Sequence, residues 1–157
     1  MSLVKLNTRS GGGIIGQIIE GTHTSQVETT STSYVTSNID VAITPSATSS
    51  KVYLCVNASA HARATTSAGG VNTGQFYRSI GGGSYTAIGD DFQLAVNRQD
   101  SSYTQESGGS GVGQFIDSPN TTSAITYVLY FKKAGGDGAR VCNINQGASI
   151  IAMEVLV

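Results

Sequence analysis

The residues best suited to chemistry in this 157-residue chain are few and scattered. His23 and His61 are its only imidazoles. A catalytic histidine needs a partner that orients it, and neither has a carboxylate pattern beside it. His61, in HAR, is expected in a surface loop, and His23 at the surface. Asp90-Asp91 lacks the alternating oxygen ligands and closing Glu of a calcium loop, so it reads as a turn carrying two solvated acids. Gly11-Gly12-Gly13 and Gly81-Gly82-Gly83 lack the Lys-Ser/Thr of a phosphate loop. The former reads as a hinge and the latter as a hairpin. A glycan hydrolase would need two carboxylates facing each other across a cleft. Asp90, Asp91, Asp100, Glu106 and Asp117 are available, but their spacing pairs none of them. No enzymatic activity, cofactor or metal is expected.

Two other groups suit binding. Asn97, Arg98, Gln99, Asp100 and Tyr103 lie in or beside a polar stretch at 99–110. They could stack on and hydrogen-bond a sugar if loops carried by a rigid scaffold set specificity. A solvated loop is the simpler reading. Residues 1–13 form an arm with Leu3, Val4 and Leu6, which either docks on a neighbouring protein or frays.

The totals narrow the classes. Net charge is -1 from 9 basic and 10 acidic residues. The basic residues form no stripe, so nucleic acid is not an expected partner. Ser and Thr fill roughly a quarter of the chain, well above ordinary usage, yet the apolar 39 % falls in short blocks that argue against disorder. Cys55 and Cys142 belong to no CxxC pair and read as buried free thiols, with a disulfide left open. The N-terminal run MSLVKLNTRSGGGIIGQIIEG is too short and broken for a signal peptide, and no run approaches the ~18 apolar residues of a membrane span. The chain is expected to be made in a cytoplasm, without a membrane partner.

The elements that must carry these residues read as strands. Apolar positions do not persist at helical spacing. From Tyr34 to Thr44, Val35, Ser37, Ile39, Val41 and Ile43 share one parity, which predicts a half-buried strand. KVYLCVN at 51–57 is nearly continuous and is expected to be covered on both faces. Further strands are expected at 13–20, 75–80, 84–89, 91–96, 112–117, 125–133, 140–145 and 149–157, with loops at 58–74 and 99–110 and a tight turn at 134–138. The last strand, apolar to its end, is expected in a central or covered position. Spacing of this kind predicts an all-β jelly roll or related sandwich of about 8–10 strands, in one domain spanning 14–157. In 125–133, Tyr127, Leu129 and Phe131 occupy one parity, and Val128 and Tyr130 the other. Apolarity on both parities requires cover on the second face, from another layer or another copy. Either set is a candidate contact between copies, since Tyr and Phe are enriched at interface cores; ordinary sandwich core is the alternative.

Three segments carry a family resemblance: TTSTSYVTSNIDVAITPSATSSKVYLCVNAS at 29–59, FIDSPNTTSAITYVLYFKK at 115–133 and INQGASIIAMEVLV at 144–157. In that order they resemble the small jelly-roll virion proteins of tailed bacteriophages, particularly those of cyanophages. The resemblance implies a sandwich like the tumour-necrosis-factor and C1q trimers, with three copies about an axis. It also implies a place on the virion, as a capsid decoration or cement protein or as a tail-fibre head. Many members sit at the end of a fibre stalk, whereas here only residues 1–13 precede the first strand, with no heptad or collagen-like repeat. A receptor- or carbohydrate-binding fibre tip is the alternative. Partners implied are further copies of the chain, other virion proteins and a host surface glycan.

Overall fold

The structure is a computed structural model and describes residues 14–65, 69–98, 105–142 and 146–157. Ten strands fill it: β1 (Ile14–His23), β2 (Val27–Thr29), β3 (Val35–Ile43), β4 (Lys51–Ala64), β5 (Gly70–Ile80), β6 (Thr86–Asn97), β7 (Gln105–Asp117), β8 (Ile125–Gly135), β9 (Gly138–Val141) and β10 (Ala148–Leu156). The antiparallel pairs are nested: β5 with β6, β4 with β7, β3 with β8 and β1 with β10. Folding that nested ribbon over itself brings β10 beside β4 and β8 beside β5. The result is a jelly-roll sandwich. One sheet has six strands, β1-β10-β4-β9-β2 with β7 on the other edge of β4; the second runs β3-β8-β5-β6.

Between the sheets lies one core. Val52, Leu54, Val56, Ile150 and Ala152 face Ile39, Val41, Ile43, Phe76, Ile125, Leu129 and Phe131. The parity expected over 35–43 holds, with Ser37, Ile39, Val41 and Ile43 all turned inward. The terminal strand β10 is central, between β1 and β4.

The described parts of two expected loops are largely strand. β4 runs on to Ala64 because Ala58, Ala60, Ala62 and Ala64 alternate inward, each 0 % exposed. Alanine is weakly represented in strands, so this alternation is quiet in sequence. β7 starts at Gln105, within the expected polar loop. Its inward positions include Gly111 and Gly113, where a side chain would strike Leu94 and Phe92 of β6. These glycines let β7 close on β6, and they leave the strand with almost no periodic signal. Asp90 and Asp91 are solvated as expected but sit inside β6, not in a turn.

The alternative parities of β8 are both resolved within one chain. Tyr127, Leu129 and Phe131 are 0 % exposed in the core, which removes them from any contact between copies. Val128 is 3 % exposed on the outer face of the four-stranded sheet. The cover expected there comes from neighbouring tyrosines: Tyr130 stacks on Tyr77 with ring centroids 4.1 Å apart, and Tyr34 and Tyr85 flank the pair.

Candidate functional site

The outer face of the six-stranded sheet is graded from apolar to charged, and strand register produces the gradient. Opposed residues on antiparallel strands share a face. Ile18, Met153, Tyr53 and Ile116 therefore form one row across β1, β10, β4 and β7. Glu20, Ile151, Cys55 and Gln114 form the next, then Thr22, Ser149, Asn57 and Val112. At the apolar end Ile15 is 53 %, Ile18 57 % and Ile116 58 % exposed, with Lys51 opposite Val155 in the outermost row; Val112, 55 % exposed, belongs to the third row. KVYLCVN is thus buried on one side only: Tyr53 and Cys55 remain half-buried on the open face.

Further along β4 the same face turns polar. β10 leaves the edge of β4 after Ala58, and β9 takes that edge from Ala60 onward. An open hollow of about 740 Å³ lies at this handover. Thr22, Asn57, Ser59, His61, Ser110 and Gln146 provide most of its polar lining. Ser59 donates a 2.6 Å hydrogen bond to Gln146 Oε1, and its hydroxyl lies 3.4 Å from His61 Nε2. The other imidazole nitrogen, Nδ1, lies 3.5 Å from Glu106 Oε1. Arg140 holds that same oxygen at 2.8 Å and reaches Glu28 at 3.4 Å, while Arg63 contacts Glu28 at 3.2 Å. His61 packs over Gly108, where any Cβ would overlap the imidazole ring. From the opposite sheet, the buried amide of Asn72 donates to the backbone carbonyls of His61 and Arg140 at 3.2 and 2.9 Å. The imidazole is held from the side, from below and through its own backbone.

His61 is therefore neither in a loop nor without an orienting carboxylate. Its partner, Glu106, is 45 residues away in sequence and arrives through β4–β7 register. No local motif could have shown it. An acid, an imidazole and a hydroxyl stand in the order of a hydrolytic triad, but the hydrogen bonds run elsewhere. The Ser59 proton points to Gln146, and Glu106 is engaged by Arg140. The arrangement orients donors and acceptors toward the hollow.

Of the expected ligand residues, Asn97 is 3 % exposed and its amide donates to the Gln105 carbonyl at 2.7 Å, tying β6 to β7. It is not free to meet a sugar. Arg98 is exposed beyond it; Gln99, Asp100 and Tyr103 lie outside the described residues, as do Leu3, Val4 and Leu6 of the arm. The described acids do not face one another across a cleft: Asp90 and Asp91 line one hollow between β6 and β7, but as neighbours on the same strand. Asp117 is buried against Arg78, Glu106 belongs to the charged network, and Asp90 and Asp91 lie on β6. Among the described residues no cluster of His, Cys, Asp and Glu is placed to hold a metal. Cys55 and Cys142 are both free thiols, the first half-buried and the second buried.

No protein-family model matches the chain, and no curated protein does. Solved structures from infectious bursal disease virus overlap it at low similarity. The T13 viral particle shows 13% identity over 100% of this chain and 40% of that chain, with a TM-score of 0.44. The Gx strain shows 13% identity over 98% and 42%, at 0.40. The VP2 subviral particle shows 12% identity over 100% and 42%, at 0.35. The chain spans about two fifths of the length of each. Overlaps of this size carry no weight for function or assembly.

Proposed function

We propose that the chain is a structural virion protein of a tailed bacteriophage, a homotrimeric jelly roll on the virion surface that acts as a capsid decoration or cement protein or as a fibre head. In this reading it has no enzymatic activity. The phage setting and the number three rest on the sequence resemblance over 29–59, 115–133 and 144–157. The observation that carries self-association is the apolar end of the six-stranded sheet. Ile15, Ile18 and Ile116, each more than half exposed, lie in the two end rows with half-buried Tyr53, Met153 and Val155, bordered by Lys51 on one side and by Glu20 and Gln114 on the other. Contiguous exposed apolar surface of this kind marks contact sites. β7 adds a long outer edge with no Lys or Pro to discourage pairing. A copy of the chain seated here covers both. In this reading the contact set is the outer face of β1, β10, β4 and β7, while Tyr127, Leu129 and Phe131 of β8 belong to the core. The segment with Leu3, Val4 and Leu6, which precedes β1 in the sequence, is the proposed anchor to other virion proteins.

Gold-labelled antibody on purified particles of the encoding phage tests the location. Label on the head supports decoration, and label at fibre ends supports the fibre head. Particles that carry none contradict the virion role.

A further inference from the structure

We infer that the hollow at the β10-to-β9 handover is a binding site for a neutral polyhydroxylated ligand, that is, a saccharide. This inference goes beyond the assembly reading and does not depend on it. Volume is the opening argument: about 740 Å³ is ample for a short sugar chain. The lining is the stronger one. Asn57 and Gln146 are amides, and Thr22, Ser59, Ser110 and Ser149 are hydroxyls. Each of these groups both donates and accepts, as sugar hydroxyls do. Among the described residues the lining has no Lys, Arg, Asp or Glu side chain. The nearby charges are already matched, with Arg140 between Glu28 and Glu106 and with Arg63 on Glu28. Among the described lining residues an anionic ligand would find no Lys or Arg, and an apolar ligand would leave these polar groups unmatched. The imidazole of His61 gives a fixed planar surface, held by Glu106 and Ser59 and packed on Gly108.

The test is a two-dimensional amide NMR titration with D-glucose, D-galactose, D-mannose, N-acetyl-D-glucosamine and short homo-oligomers of each. Glucuronic acid and sialic acid serve as anionic counterparts. Saturable shifts at Asn57, Ser59, His61 and Ser110 with at least one neutral sugar are expected. Asn57→Ala should weaken that sugar by about tenfold, the effect of a lost hydrogen bond. Ser110→Tyr, at an exposed position that accepts a larger side chain, should abolish binding while the remaining spectrum stays native. Absence of saturable shifts with every neutral sugar overturns the inference. So does preference for the acids, or binding that both variants leave intact. Light scattering on the same samples reports assembly separately, so a monomer that binds sugar would sink the assembly reading alone.

Discussion

The hydroxyl of Tyr127 donates a 2.8 Å hydrogen bond to Asp117 Oδ2, deep at one end of the sandwich. The same carboxylate accepts from Arg78 Nη1 at 2.6 Å to each oxygen. Tyr127 is on β8, Arg78 on β5 and Asp117 at the end of β7, so three side chains bolt the two sheets together. Burial raises the Tyr127 pKa, and the neighbouring Asp117 charge raises it further, so the phenol stays protonated and donates.

Removing members of this triad should cost unequally. Tyr127→Phe loses one hydrogen bond to a buried charge, and we expect about 1–3 kcal/mol of lost stability in urea unfolding. Asp117→Ala leaves Arg78 without its partner and should cost more, about 3–5 kcal/mol. Equal, negligible losses in both variants would show that the triad is not a structural bolt.

Glu154 gives the fold an acid limit. Its carboxylate is 1 % exposed on β10 and accepts from the Ser46 amide at 2.6 Å, the Ser46 hydroxyl at 2.8 Å and Gln17 at 2.8 Å. Burial pushes its pKa up, but the bonds from the Ser46 amide, Gln17 and the Ser46 hydroxyl outweigh that and hold it at about 2, against an ordinary 4.5. A depressed native pKa means the unfolded chain binds the proton more readily. The contribution is therefore complete above about pH 5 and is lost as pH falls toward 2. Denaturant midpoints measured across that range should drop for the wild type, and Glu154→Gln should flatten part of the drop. Parallel pH profiles would contradict this assignment.

Gly111 tests the closure of β7 on β6. An added Cβ there would lie 2.8 Å from the backbone oxygen of Leu94 and 3.0 Å from its Cα, atoms that cannot step aside. Gly111→Ala should cost about 1–3 kcal/mol, in the range of overpacked sites. Ser110→Ala, next to it on the open face, should stay within about 0.5 kcal/mol. Urea midpoints compare the two directly; equal effects would mean that β6 and β7 are not packed this tightly.

Cys55 reports on the proposed interface because it lies in the row with Ile151 and Gln114. In the assembled wild type it should react slowly with a thiol reagent. Ile116→Arg should release the copies and bring Cys55 close to the rate of a free thiol. Cys142, buried and with its pKa raised by burial, should react only on unfolding in both. Identical Cys55 rates in the two proteins would argue that nothing covers that face.

Much of the fold was legible, and what was not has physical causes. β3 was readable because Ile39, Val41 and Ile43 alternate with polar residues and only one of its faces is dry. The second half of β4 was hidden by alanines, and β7 by glycines, since both pack by being small. The polar hollow was unreadable for a different reason. Ser59 and His61 are neighbours on β4, but Glu106, Ser110 and Gln146 reach them only through register and the handover between β10 and β9. Both parities of β8 carry aromatic residues, and composition cannot show which face of a strand is interior; packing puts Tyr127 and Phe131 inside. The apolar rows across β1, β10, β4 and β7 are spread over four segments, each unremarkable alone.

The most direct measurement is the solution mass by light scattering over a dilution series, made on the wild type and on Ile116→Arg. Three times the 16.2 kDa chain mass is expected for the wild type, and monomer for the variant. A wild type that remains a well-behaved monomer at every concentration would contradict this expectation.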